Sequence, residues 1–326
     1  MNDTPSDSIS RVAVVGAGVI GASWAAQFLA AGCDVVATDP ADGAEERLRE
    51  DVASHWPLME RLGLHAGASI GRLTFTTDLT AAIADADFVQ ENGPERLDFK
   101  QQLFSQMDAE SSPNTILASS SSGIGPTAIS AHCSLAPNRV IVAHPFNPPH
   151  LIPLVEVVGG ERADANTVDR AMRFYEAIGK QPIRVQMELP GHIANRLQAA
   201  LWREAYSLVE RGAVTVSDLD KAISAGPGLR WAVLGPFANQ HLSGGRNGLA
   251  HILEHLGPPM VEWWQTLQEP EWTEALKETL VAGMDEELAG IDQSGMVEDR
   301  DRLLEQLLTA KSEAYHLPEN QTRAQR

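Results

Sequence analysis

Up to about residue 188 the apolar positions fall in short runs. Those at 12–15, 35–38, 73–76, 88–91, 115–118, 140–144 and 154–158 predict strands. Between most of them apolar residues recur at helical spacing, which predicts amphipathic helices over 20–31, 45–62 and 96–109. A helix over 166–178 and a last strand at 183–186 close this region. Such alternation predicts a doubly wound, mainly parallel α/β sheet covered on both faces. After Pro190 the pattern changes. One long helix is expected over 193–211, where Leu197, Leu201, Ala205 and Leu208 share a face. Ser217 before Asp218, Leu219 and Asp220 predicts the capped start of a second helix. Helical spacing returns at 249–256, 273–288 and 300–313, and the polar tail beyond Pro318 is expected to be mobile. The boundary should fall near 188–191, giving an α/β domain over 1–189 and an all-α domain over 190–326.

Composition narrows the partners. A formal charge of −19 argues against nucleic acid, and the five lysines are scattered (Lys100, Lys180, Lys221, Lys277, Lys311). No apolar stretch approaches the ~20 residues of a membrane span. Residues 1–10 are polar and acidic, unlike a signal or transit peptide, so a cytoplasmic protein is expected. Cys33 and Cys133 have no paired spacing and no histidine at ligand intervals. Both are expected to be buried small hydrophobes, and no metal site is expected.

Gly16-Ala-Gly18-Val19-Ile20-Gly21 follows the first strand and opens the first helix. Gly16 permits the tight turn, Gly18 lets backbone amides approach a pyrophosphate, and Gly21 allows helix and strand to pack closely. Val19 and Ile20 begin the helix whose N-terminus favours phosphate. Asp39 ends the second strand, where a carboxylate can bind ribose hydroxyls and repel a 2′-phosphate. Together these features predict a Rossmann-type domain that binds NAD in preference to NADP.

His144-Pro-Phe-Asn-Pro-Pro-His150 ends the sixth strand, placing His144 at the edge where doubly wound sheets hold ligands. Glu156 lies in the apolar run of the seventh strand, where a carboxylate needs a partner. A His–Glu pair meets that need and suits general base catalysis. The same positions also fit a satisfied structural histidine and an edge charge.

Taken in order, the residues resemble the 3-hydroxyacyl-CoA dehydrogenase superfamily over nearly the whole chain. The matching elements are Gly16 to Gly21, Glu95 with Lys100, the run Ala118 to Ser122, His144 through Glu156, and Pro190-Gly-His-Ile-Ala-Asn195-Arg. The resemblance implies that His144 is the catalytic base and Glu156 orients it. It implies that Ser122 and Asn195 hydrogen-bond the reacting oxygen, and that Glu95 and Lys100 line the nicotinamide side of NAD. Hydride transfer from C3 of a 3-hydroxy compound and a homodimer are implied as well. Other readings remain open for single residues: Ser122 or Asn195 as helix caps, Glu95 as a solvated first-turn acid, and Lys100 as its surface counterpart. His192 stands where the family usually has Phe, and Ser120-Ser121 where it has Asn-Thr. The second departure leaves open which serine reaches substrate.

The substrate is expected to be a free acid. The segment 44–77 has no lysine for CoA phosphates and only Arg47, Arg49, Arg61 and Arg72. Gly226-Pro-Gly-Leu-Arg230-Trp231 precedes Gly235-Pro236, and this arginine–aromatic loop resembles the small-acid branch of the superfamily. An arginine there suits bidentate binding of a carboxylate; an ion pair between domains is the alternative. Trp231, Trp263 and Trp264 could build a cage for a quaternary ammonium, or serve as core or interface residues. The branch makes L-carnitine the first expected substrate, ahead of L-gulonate or another short 3-hydroxy acid, and a CoA ester third. A catalytically idle, crystallin-like NADH-binding protein is the non-enzyme alternative.

Overall fold

The computed structural model describes residues 9–324. The expectation of an N-terminus without a targeting signature falls largely on residues 1–8, outside the described residues. Eight strands form one sheet: β1 (Arg11–Val15), β2 (Asp34–Thr38), β3 (Leu73–Thr76), β4 (Phe88–Glu91), β5 (Ile116–Ser119), β6 (Val140–Pro145), β7 (Leu154–Gly159) and β8 (Gln181–Val185). Their order is β3-β2-β1-β4-β5-β6-β7-β8, and every neighbouring pair is parallel except β6 with β7. From β1 the chain runs outward to β2 and β3, then crosses back to β4 on the other side of β1. That reversal opens a crevice at their carboxyl ends.

Both faces of the sheet are buried, as strand alternation requires. Val12 and Val14 of β1 join a cluster with Trp24, Phe28, Phe88, Phe174 and Tyr175, whereas Ala13 and Val15 join Val89, Phe104, Met107 and Leu117. The covering helices are α1 (Val19–Ala30), α2 (Ala44–Leu62), α3 (Leu79–Ile83), α4 (Leu97–Glu110), α5 (Pro126–Ile129) and α6 (Ala165–Ala177). Helices α3 and α5 are too short to produce a readable apolar period. The last strand begins at Gln181 rather than 183, because Gln181 and Pro182 already pair with Leu154 and Val155 of β7.

Two compact units divide between Arg196 and Leu197, inside α7 (Ala194–Glu210). The second unit is helical: α8 (Val216–Ser224), α9 (Pro227–Val233), α10 (Pro236–Ser243), α11 (Gly248–His255), α12 (Gly257–Trp264), α13 (Glu274–Glu287), α14 (Gln293–Glu313) and α15 (Pro318–Ala324). Three expectations are corrected here. The cap of α8 is Thr215, not Ser217: the Thr215 hydroxyl accepts from the Asp218 amide at 3.1 Å. Arg230 and Trp231 lie on helix α9 instead of a loop, started by Pro227 at its first position. The tail expected to be mobile forms α15, to which Asn320 ties the end of α14 by donating to the Lys311 and Ala314 carbonyls. Among the described residues no helix is long and apolar enough to cross a membrane. Cys33 and Cys133 are buried free thiols, and burial pushes each up to about 11.

Candidate active site

The turn between β1 and α1 is built for a close backbone approach. Gly16 has φ +92°, and a Cβ there would meet the Asn92 carbonyl at 3.0 Å. At Gly21 a Cβ would lie 1.9 Å from the Gly16 carbonyl oxygen. Gly18 differs: a Cβ there would meet nothing within 4 Å. It caps α1 without a side-chain hydrogen bond and with no acid in the first turn. There is thus room beside Gly18 at the start of α1, where the first amides of a helix, Val19 and Ile20 among them, have no intrahelical partner and suit an anion. Asp39 is held at the end of β2 by amides of Ala17 and Ala41, both at 2.9 Å. Beside it opens a cavity of about 580 Å³ lined by Pro40, Asp42, Glu45, Arg49, Phe75 and Thr77. Glycine turn, bare helix end, carboxylate and cavity fit a dinucleotide's pyrophosphate and adenosine.

The β6–β7 hairpin sets the second group. His144 and Glu156 are directly opposed in the antiparallel register, so their side chains share one face. His144 Nδ1 lies 2.8 Å from Glu156 Oε2. The other carboxylate oxygen accepts from the Ile193 and Ala194 amides, each at 2.9 Å, at the start of α7. Burial opposes ionisation of Glu156, but the bonds from His144, Ala194 and Ile193 outweigh it and hold its carboxyl below the usual value. An imidazole so held has its second nitrogen free to exchange a proton with a ligand.

The serine run closes the site from β5. Ser119 Oγ donates to Glu91 Oε2 at 2.5 Å, Ser120 Oγ to Asn92 Oδ1 at 2.7 Å, and Ser121 Oγ to Glu95 Oε1 at 2.6 Å. Ser122 is exposed, and its hydroxyl stands outside this network. Its amide donates to Glu95 Oε1 at 3.0 Å and its carbonyl accepts from Asn195 Nδ2 at 3.3 Å. Asn195 thus joins the serine turn rather than capping α7. His192, with φ +52°, is fully buried and donates through Nε2 to the Ser121 carbonyl at 3.0 Å. Phenylalanine could not make that bond.

Glu95 is exposed at the rim, whereas Lys100 is 1 % exposed. The Lys100 ammonium donates to both oxygens of Glu91 at 2.9 Å and lies 3.7 Å from Glu95. Glu91, fully buried at the end of β4, belongs to this site although no sequence motif marks it. Its signal was a carboxylate at the end of an otherwise uncharged strand, nine residues before a lysine. Arg230 is exposed on α9, with no carboxylate partner among the described residues. Trp231, Trp263 and Trp264 are exposed as well. No cluster of three or more potential metal ligands occurs among the described residues.

Comparison with known proteins adds two matches and several relatives. Residues 11–188 match the 3-hydroxyacyl-CoA dehydrogenase NAD binding domain, and residues 191–282 match the 3-hydroxyacyl-CoA dehydrogenase C-terminal domain. An L-carnitine dehydrogenase of Streptomyces coelicolor is 50 % identical over 307 residues, covering 94 % of this chain and 96 % of its own. An L-carnitine dehydrogenase of Bacillus cereus is 45 % identical over 308 residues, 94 % of each chain. Among solved structures, a 5-formyl-3-hydroxy-2-methylpyridine 4-carboxylic acid 5-dehydrogenase, an NAD+-dependent dismutase, superposes with a TM-score of 0.80. It is 31 % identical and covers 94 % of this chain and 99 % of its own.

Proposed function

The chain belongs to the 3-hydroxyacyl-CoA dehydrogenase family, with its NAD-binding domain, and from that premise we propose that it oxidises the C3 hydroxyl of L-carnitine to 3-dehydrocarnitine. The observation that carries the substrate is the relationship to L-carnitine dehydrogenases at up to 50 % identity over 94 % of the chain. The chemistry rests on the His144–Glu156 pair at 2.8 Å. His144 takes the hydroxyl proton through Nε2 while Nδ1–H donates to Glu156, which keeps one tautomer and stabilises the imidazolium that forms. NAD, when bound, would supply the acceptor for the C3 hydride. Ser122, whose hydroxyl is uncommitted, and Asn195 hydrogen-bond the reacting oxygen. Gly16, Gly18, Val19, Ile20 and Gly21 cradle the pyrophosphate, Asp39 takes the adenosine ribose, and Glu95 lines the nicotinamide side. Lys100 acts from beneath, by fixing Glu91 and Glu95.

Arg230 binds the substrate carboxylate in this reading, supported by a guanidinium without a carboxylate partner among the described residues. An aromatic group that includes Trp231 faces the trimethylammonium. The protein works in the cytoplasm as a homodimer. Free thiols at Cys33 and Cys133 support the first statement. Exposed Leu197, Leu201 and Trp202 on α7 support the second, since such a face calls for a partner.

The test is NAD reduction at alkaline pH with L-carnitine, L-gulonate, 3-hydroxybutyrate and 3-hydroxybutyryl-CoA. L-carnitine should give the highest kcat/KM, and preference for the CoA ester would reject the substrate reading. His144→Gln should keep NADH affinity and lose at least ~10²-fold in turnover, the scale of general-base loss. Arg230→Ala should raise KM for the acid with little change in KM for NAD. Near-normal turnover in the first variant or unchanged KM in the second would reject the corresponding role.

A further inference from the structure

The loop 146–153, which joins β6 to β7, is pinned from beneath by side chains that the chemistry above does not use. Ser23 stands on α1, one turn beyond Val19, and is 1 % exposed. The Ser23 Oγ accepts from the His150 amide at 2.8 Å and lies 2.7 Å from His150 Nδ1. With the amide donating to that oxygen, the hydroxyl proton is free to point at Nδ1. Burial pushes His150 down to about 3, so its ring is neutral and Nδ1 can accept. The ring also stacks on His55 of α2, centroids 3.9 Å apart. From the other side Lys180, 3 % exposed, donates to the Pro149 and Ile152 carbonyls, the latter at 3.0 Å, and lies 5.5 Å over the Trp24 ring.

We propose that Ser23 and His150 are positioning residues, a two-bond clasp that fixes the catalytic hairpin to the helix that receives the cofactor. The clasp joins residues 127 positions apart. One end lies a turn from the amides that meet the pyrophosphate. The other lies within the loop whose two strands carry His144 and Glu156. Both bonds are buried, so leaving either polar group unpaired costs free energy, and the hairpin has one preferred seat on α1. Phe146, at the loop's start, packs edge-on to the His144 ring at 5.0 Å, which passes the seating on to the base. This inference rests on the reading of His144 as the general base.

Four variants of the full-length protein test it: His150→Leu, Ser23→Ala, their double, and His150→Asn, whose Oδ1 occupies nearly the place of Nδ1. The first readout needs no substrate. It is the downfield proton resonance of His144 Nδ1–H with NADH bound, which should shift or broaden in His150→Leu and Ser23→Ala and return in His150→Asn. The second is turnover of L-carnitine at saturating NAD. The single variants should lose about tenfold in kcat, a part of the ~10²-fold that a 1 Å misplacement can cost. NADH affinity should hold, and the double variant should be no worse than either single one. An unchanged His144 resonance, wild-type kcat in His150→Leu, additive losses, or no recovery in His150→Asn would each overturn the clasp. Ser23→Ala carries the test if His150→Leu does not fold. An active His144→Gln would instead reject the general base, and absence of carnitine turnover in the wild type would reject the substrate, with the resonance still deciding on the clasp.

Discussion

Lys100 shows how much a single residue can hold. Its buried ammonium is shared between Glu91 and the Gly93 carbonyl, at 2.9 and 3.3 Å. Removing one member of a buried pair leaves an uncompensated charge, so Lys100→Met should lose about 3–5 kcal/mol by urea unfolding, more than the pair itself contributes. Adding Glu91→Gln to that variant should restore part of the loss. Asp108 makes a pH-dependent contribution. Burial opposes its ionisation, but amides of Leu135 and Ala136 and the Arg139 side chain prevail and hold it below its usual 3.8. A carboxyl with a depressed folded value stabilises the protein above its unfolded value and loses that contribution as pH falls through the folded one. The urea midpoint should therefore drop as pH falls from about 5 toward the acid limit, and Asp108→Asn should flatten that drop. Lys100 also marks a limit of sequence reading. A lysine five residues after a glutamate reads equally as a surface pair or a buried one, and only the fold brings Glu91 beneath it.

At the scale of elements, the turn into α1 makes a sharp contrast. Gly21→Ala would put a methyl against a backbone oxygen that cannot move alone, and overpacking of this kind costs about 1–3 kcal/mol. Gly18→Ala meets no atom and should leave Tm unchanged. It should nevertheless weaken NADH by about tenfold, or about 1.4 kcal/mol, by occupying space that the pyrophosphate needs. Calorimetry and NADH fluorescence titration of the two variants separate these effects. This turn was legible in the sequence because its requirements are local: three glycines, a strand before and a helix after. The pairing of His144 with Glu156 was legible because a buried carboxylate in an apolar strand demands a partner. The Ser23–His150 clasp was not, since nothing near either residue indicates a partner 127 positions away. The cap at Thr215 was missed for a smaller reason. Thr215 and Ser217 both offer a hydroxyl, and the choice depends on which amide is three residues on.

At the scale of the molecule, the two units bury apolar surface unequally. The first has continuous buried clusters on both faces of the sheet. The second leaves Phe237, Leu242, Trp263, Trp264 and Trp272 more than half exposed. An assembly that covers part of this surface should sediment at about twice the 35.2 kDa chain mass. Sedimentation at the monomer mass across micromolar concentrations would reject the homodimer. Trp202→Glu should shift the distribution toward monomer.

The opposed register of β6 and β7 also constrains how this protein can change over evolutionary time. Strand side chains alternate between faces, so deleting one residue of the intervening loop and repairing the ladder by a one-residue slip would turn Glu156 to the face opposite His144. Substitutions in loop 146–153 can be tested by selection one at a time. A single-residue change in its length that was taken up by slip would remove the carboxylate from the base at a stroke, so only length changes absorbed within the loop itself keep the pair.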